Sequence, residues 1–228
     1  MKILSLDTSG KRLSMALNED AENIALRELQ LGFTHSETMM PQLQGLLHDV
    51  SVGFSDLDLL AVAAGPGSFT GLRIGLSTMK TLAWTLNIPL FTFSTLDVIA
   101  NPWRDFDLPC LSALDARGGR VYSSVCQSGK RLIEEGNCQA VEVIENMQSL
   151  RLKTPWILSG DGTRVVLKAA EELGCQAYFL SVDTGASALR PEEMARMAYQ
   201  RYSLGERPTW QEAHAHYISP SQAERLHG

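Results

Sequence analysis

The apolar pattern of the chain starts with a hairpin. Residues 3–17 (ILSLDTSGKRLSMAL) read as an apolar strand, an Asp, a tight Gly turn and a second, partly alternating strand. Residues 24–31 (IALRELQL) alternate with the two-residue period of a third strand. Residues 36–50 switch to a helical period, with Met39, Met40, Leu43, Leu46, Leu47 and Val50 recurring on one side. Residues 57–64 (LDLLAVAA) are almost continuously apolar, as expected of a buried strand. A glycine loop follows, then a helix over residues 72–86 and a short strand at 90–93.

The pattern then repeats. At a constant offset of 108, Leu6 meets Leu114, Asp7 meets Asp115, Gly10 meets Gly118, Arg12 meets Arg120, Leu13 meets Val121 and Leu17 meets Val125. Residues 111–125 (LSALDARGGRVYSSV) therefore form a second Asp-containing hairpin. A strand near Cys138–Val141, a helix to Leu150, a strand at 156–159, the turn Gly160-Asp161-Gly162, a helix through Leu173 and a strand at 177–180 complete the copy. The order β-β-β-α-β-α-β thus occurs twice. Pro102 and Pro109 interrupt regular structure and place the boundary in residues 97–110. We expect an α/β chain with an N-terminal lobe over 1–100 and a C-terminal lobe over 108–228, each a mixed sheet flanked by helices. A helix at 191–204 and an irregular tail close it, the final tail packing back on the first lobe. Such a tandem duplication resembles the actin-like (ASKHA) architecture. There the paired Asp hairpins face an interdomain cleft, and their turns approach the phosphates of a nucleotide.

Composition narrows the function classes. The 228 residues are 44% hydrophobic and 20% charged, enough to bury a core. The formal net charge is -6 and no basic stripe is visible, which argues against a free-standing nucleic-acid binder. Cys110, Cys126, Cys138 and Cys175 include no CxxC pair, so neither a zinc ribbon nor a thioredoxin-type motif is supported. The first apolar stretch ends at Asp7, too early for a signal peptide, and no apolar run approaches the about 18 residues of a membrane span. The expectation is a cytoplasmic protein with reduced thiols and no membrane contact.

Candidate chemistry is concentrated in a few strings. Gly65-Pro66-Gly67-Ser68-Phe69-Thr70-Gly71-Leu72-Arg73 lies between a buried strand and a helix, where free N–H groups favour an anion. It lacks the Gly-Lys-Ser/Thr of a phosphate-binding Walker loop, and Thr70 stands where a Rossmann fingerprint has its third Gly. Spacing alone favours a tight turn in which Ser68 or Thr70 caps the helix. Asp7 and Asp115 suit a magnesium-nucleotide or, equally, the capping of their own hairpin turns. With Ser9, Gly65, Gly67, Ser68 and Arg117 they form the candidate nucleotide or phosphate site, read as vestigial. In Thr34-His35-Ser36-Glu37-Thr38-Met39, Thr34 or Ser36 is the expected cap of the next helix. Met39 stands four residues after His35, so a two-histidine metal pair is broken. His214 and His216 alternate along a candidate strand near His227, without a Cys or acidic cluster to complete a metal site. No metal ligand set is assigned.

The strings ILSLDTS, HSETMMP, AVAAGPGSFTGLRIG, LDARGGRVY, SGDG and YISPSQAE, in this order, resemble the TsaB (YeaZ) family nearly end to end. The resemblance implies a two-lobed actin-like protein without catalysis of its own. It implies a heterodimer with a TsaD-type catalytic paralogue, and a TsaE-type ATPase as a further partner. Together these install N6-threonylcarbamoyladenosine (t6A) at position 37 of tRNAs. ATP and a metal ion then belong to the partners, this chain binds no cofactor alone, tRNA is met only within the complex, and the isolated chain forms a homodimer. The resemblance also implies a partner face on the first lobe's two helices, at His35, Met39, Met40, Leu43, Leu47, Leu72, Leu76, Met79 and Lys80. Both helices are apolar well beyond one stripe, as are Ile74, Leu82 and Trp84, which fits burial on a second side. Where the family's tail often reads Tyr-Leu-Arg-Pro, this chain has Tyr217-Ile218-Ser219-Pro220, so no role of that Arg carries over. An actin-like ATPase or phosphotransferase is the alternative reading, and an M22-type metalloprotease a third.

Overall fold

The computed structural model describes residues 1–30, 35–182 and 190–218, with the side chains of 35–37 left aside. Two five-stranded sheets carry the same plan. In the first, β1 (Lys2–Asp7), β2 (Leu13–Glu19) and β3 (Glu22–Leu29) form an antiparallel meander. After α1 (His35–Asp49), β4 (Leu59–Gly65) pairs parallel to β1; after α2 (Phe69–Leu86), β5 (Leu90–Ser94) pairs parallel to β4. The order is β3-β2-β1-β4-β5. A short helix α3 (Thr95–Ala100) leads to the second sheet: the meander β6 (Cys110–Arg117), β7 (Arg120–Gln127) and β8 (Lys130–Gln139), then α4 (Ala140–Ser149), β9 (Trp156–Ser159), α5 (Thr163–Glu172) and β10 (Phe179–Ser181). Its order, β10-β9-β6-β7-β8, is the first order with each strand replaced by its copy.

Burial follows from position. β4 is the central parallel strand and all seven of its residues are buried, which is why it reads as a continuous apolar run. On one face of the first sheet, Leu4, Leu6, Leu13, Met15 and Leu17 meet Met39, Leu43, Leu47, Leu76 and Met79 from α1 and α2. The opposite face receives α6 (Pro191–Ser203), whose Met194, Ala195 and Ala198 are buried. Small alanines let this helix lie close to the strands. In the second sheet, Leu111, Val125, Trp156 and Leu158 pack on Val143, Ile144 and Met147 of α4 and Val166 and Ala170 of α5. Trp156 meets Phe179 edge-on, with centroids 5.2 Å apart.

Contacts divide the chain into two compact units, one joining Met1–Thr95 to Leu189–Tyr217, the other built on Leu96–Ala188. Two differences from the sequence expectation follow. The dividing point lies at α3, ahead of the prolines, because Leu96, Val98 and Ile99 are buried in a helix where a linker was expected. The closing helix α6 belongs with the first unit, whereas the sequence reading grouped it with 108–228 and sent only the final tail back. The strand expected near Cys138–Val141 runs instead over Lys130–Gln139, and Ala140 already starts α4. β8 is an edge strand with Lys130, Leu132 and Glu134 exposed, so its charged sequence hid it. No strand forms at His214 and His216; residues 213–217 are irregular and both histidines are exposed. Among the described residues no helix is long and apolar enough to cross a membrane.

Candidate functional site

Asp7 ends β1 and is buried, with 1% of its surface exposed. Its Oδ1 accepts the Ser9 N–H at 2.7 Å, closing an Asx turn across the hairpin. Its Oδ2 has no hydrogen-bond partner, nor does the buried Ser9 Oγ. Burial pushes the Asp7 carboxyl up from 3.8 to about 6, against the pull of the Ser9 N–H and the nearby Ser9 hydroxyl. A carboxylate with one free buried oxygen is the group that a cation or a ligand hydroxyl would satisfy.

The glycine loop over this turn has a second use for its glycines. A Cβ on Gly67 would stand 2.5 Å from the Ser9 carbonyl oxygen, and one on Gly71 would stand 2.0 Å from the Thr8 carbonyl oxygen. At Gly75 it would meet Thr8 Oγ1 at 2.3 Å, and at Gly65, where φ is +114°, the His216 carbonyl oxygen at 2.5 Å. The space that a side chain at these glycines would need is therefore taken by the chain's own hairpin and tail. Thr8 Oγ1 donates to the Gly71 carbonyl at 2.7 Å, and the Ser68 N–H donates to the Ser9 carbonyl at 2.6 Å. Ser68 is the N-cap of α2, its hydroxyl accepting from the Gly71 N–H at 3.2 Å, as the spacing predicts.

The second hairpin keeps the turn and changes the setting. Asp115 Oδ1 accepts the Arg117 N–H at 2.7 Å, repeating the Asp7–Ser9 bond at the offset of the duplication. Asp115 and Arg117 are exposed, however, and Arg117 adopts a φ of +66°. Asp161 of the Gly160-Asp161-Gly162 turn accepts the Asp115 N–H at 2.9 Å. Gly160 matches Gly65 in place and in φ, both +114°, and its Cβ position lies 1.9 Å from the Ala113 carbonyl oxygen. Asp7, Ser9, Gly65, Gly67 and Ser68 thus come together in the first unit, and Asp115 with Arg117 in the second.

The residues expected on the partner face divide differently. Met39, Leu43, Leu47, Leu72, Leu76 and Met79 are at most 6% exposed and belong to the first unit's interior, so within this chain they are core. Met40 is half-buried, and the Lys80 ammonium donates to the Ala213 carbonyl at 2.9 Å. The His35 side chain, Thr34, Ser219 and His227 lie outside the described residues; Ser36 falls inside α1. The outward stripe of α2 is instead Thr70, Arg73, Ser77, Thr81, Trp84 and Thr85, with Ile74 and Leu82 at its margin. Trp84 is 67% exposed. Pro41, Gln44 and His48 form the outward side of α1.

The tail straps the start of α2. The His216 N–H donates to the Ala64 carbonyl at 2.7 Å, and Tyr217 stacks on Phe69 with centroids 4.5 Å apart. Arg73 lies over the Phe69 ring at 4.0 Å and donates from Nε to the Tyr217 hydroxyl at 3.3 Å. Sequence reasoning missed this contact, since nothing local to Tyr217 names its partner.

The family TsaD, tRNA N6-adenosine threonylcarbamoyltransferase, matches residues 32–201. The chain is 41% identical over 205 residues to the tRNA threonylcarbamoyladenosine biosynthesis protein TsaB of Bacillus subtilis, covering 88% of each. It is 31% identical over 225 residues to TsaB of Escherichia coli, covering 96% of this chain and 94% of the relative. Among solved structures, a Pseudomonas aeruginosa protein described as similar to peptidase YeaZ superposes with a TM-score of 0.73 at 22% identity, over 96% of this chain and 99% of the other. The fold is that of the actin-like proteins, shared with sugar kinases of the ROK type.

Proposed function

Because the chain belongs to the TsaB (YeaZ) family, we propose that it acts in tRNA threonylcarbamoyladenosine biosynthesis as a non-catalytic subunit. It pairs with a TsaD-type transferase, and a TsaE-type ATPase acts on the pair. ATP, metal and most tRNA contacts belong to those partners, consistent with this chain's net charge of -6. The observation that carries this reading is Trp84, a large side chain left 67% exposed on the outward stripe of α2. Tryptophan is among the residues most enriched where interfaces are strongest. In this reading the pairing face is the exposed stripe of α2, with the expected Leu43, Leu47, Leu72 and Leu76 lying beneath it as core.

One observation favours a second reading, an actin-like ATPase or phosphotransferase: the free buried Oδ2 of Asp7. A metalloprotease reading has less support, since Met39 holds the position of the second histidine and is core.

The test is a reconstituted modification reaction: catalytic paralogue, ATPase partner, threonylcarbamoyl-adenylate source, ATP and unmodified tRNA, with or without this chain. The subunit reading expects modification to require the chain. Equal modification without it contradicts the reading, and nucleotide turnover by the isolated chain would then favour the second one.

A further inference from the structure

Arg73, Phe69 and Tyr217 form a triangle in which each side chain touches the other two. The Arg73 guanidinium lies over the Phe69 ring, one helical turn back along α2, at 4.0 Å. Tyr217 stacks on the same ring with centroids 4.5 Å apart, and its hydroxyl accepts from Arg73 Nε at 3.3 Å. These contacts fix the plane of the guanidinium while engaging only its Nε–H donor. Among the described residues nothing accepts from Nη1 or Nη2 of Arg73. A guanidinium ordinarily loses side-chain freedom when it binds. Here that freedom is already lost, and the fork between Nη1 and Nη2 is set for a planar acceptor with two oxygens.

The surroundings say what kind of acceptor fits. Arg73 is exposed on the outward stripe of α2, and the other members, Thr70, Ser77, Thr81, Trp84 and Thr85, carry no charge. α2 has no acidic residue, in its first turn or beyond. The positive end of the helix dipole therefore adds to the guanidinium and is not offset. Lys80, the other cation of α2, donates to the Ala213 carbonyl in the tail. Trp84 lies about 16 Å further along the same side of the helix, within the span of one interface. One fixed cation among threonines suits a single anionic side chain. A nucleic-acid track needs a run of cations, and this stripe has none.

We propose that Arg73 is the charged anchor of the α2 face and takes an Asp or Glu carboxylate of the TsaD-type partner between Nη1 and Nη2, with Tyr217 as its positioning residue. The proposal rests on the subunit reading above and adds the chemistry of the contact. With Nε engaged by Tyr217, the end of the guanidinium is the edge left to bind, and it meets both carboxylate oxygens in parallel. Closure of the face around that pair removes water from it, so a missing partner leaves a charge unpaired. The tail thereby contributes to pairing through the orientation of Arg73.

The test is calorimetric titration of the full chain with the TsaD-type paralogue, without tRNA. Arg73→Ala, with a native circular dichroism spectrum, should weaken pairing by roughly thirtyfold or more. Should it misfold, Arg73→Gln provides the same arm. Arg73→Lys keeps the charge but not the fork or the stack, and should stay at least roughly tenfold weaker than the wild type. Arg73→Glu should fall below Arg73→Ala by a further factor of roughly ten, since like charges then face each other. Tyr217→Phe keeps the ring and removes the acceptor, and should cost roughly threefold. Arg73→Ala pairing as tightly as the wild type overturns the proposal, also where the complex then loses tRNA, which assigns the guanidinium to a phosphate. Equal losses for Arg73→Glu and Arg73→Ala overturn the carboxylate, and Arg73→Lys at wild-type strength overturns the fork. The same loss from Glu224→Gln, outside the described residues, assigns the fork to the chain's own tail and overturns it too. A wild-type chain that does not pair contradicts the subunit reading and takes this proposal with it. Pairing weakened by Trp84→Glu but not by Arg73→Ala contradicts this proposal alone.

Discussion

Thr8 Oγ1 donates to the carbonyl of Gly71 at 2.7 Å, and a Cβ on Gly71 would lie 2.0 Å from the Thr8 carbonyl oxygen. The first hairpin is therefore seated against the first turn of α2 through a contact that only glycine permits. Gly71→Ala forces backbone apart, since the opposing atom is itself main chain. We expect a loss of about 2–3 kcal/mol, as for overpacked cores. Urea denaturation measures it, and a loss under about 0.5 kcal/mol, the size of an ordinary surface change, would contradict the seating.

The same demand returns in the second unit. Gly160→Ala brings a Cβ to 1.9 Å from the Ala113 carbonyl oxygen at a φ of +114°. Strain and clash act together there, so thermal unfolding should show a loss at least as large as that of Gly71→Ala. Gly129, at a φ of +72° with open space around its Cβ position, is the control: Gly129→Ala carries the conformational cost alone, of order 1–2 kcal/mol. Equal losses at the two sites would mean that packing at Gly160 contributes nothing.

Asp7 makes stability depend on pH. Its folded value of about 6 lies above the ordinary value of 3.8, so the folded chain holds a proton that the unfolded chain releases in that interval. The stabilisation from the neutral acid is fully present below about 3.8 and is lost as pH rises through about 6. The gap corresponds to roughly 3 kcal/mol. Asp7→Asn keeps the acceptor for the Ser9 N–H and has no charge to bury. Its stability relative to the wild type should rise by that amount between pH 4 and pH 7. Parallel pH profiles for the two proteins would show that the buried carboxyl does not titrate there.

Much of this fold was legible in the sequence because its determinants are local. The 108-residue offset, anchored by Asp7 with Asp115 and Gly10 with Gly118, marked the duplication, and the two sheet orders repeat it. Ser68 was legible as a cap because capping needs only its own next residues. The rest depends on distant partners. The α1 and α2 leucines looked like a double-sided surface, yet one sheet face absorbs Leu43, Leu47 and Leu76, and Leu72 is buried as well. The glycines of the loop also serve close packing, and nothing near them in sequence shows that Thr8 and Ser9 stand where their side chains would be. α3 was hidden by Pro102, which lies beyond its end in a short 3-10 turn.

The tail strap rests on aromatic packing at the surface. Tyr217→Ala removes the stack on Phe69 and the acceptor for Arg73, and should cost about 1 kcal/mol. Limited proteolysis should cut the tail faster in that variant, while Leu204→Ala, at a site 84% exposed, should leave the rate unchanged. Equal cleavage of all three proteins would show that the stack does not hold the strap.

The pairing face is the central claim, and direct binding to the TsaD-type paralogue tests it. Sedimentation velocity of the mixed proteins would compare the wild type with Trp84→Glu, altered at a side chain 67% exposed, and with Leu150→Glu, altered at one 51% exposed in the other unit. Wild type and Leu150→Glu should form the heterodimer. Trp84→Glu, folded as judged by circular dichroism, should weaken it by tenfold or more, the size of an interface hot spot of about 1.4 kcal/mol or above. A Trp84→Glu chain that pairs as tightly as the wild type would contradict the assignment of the α2 stripe as the surface through which this protein works.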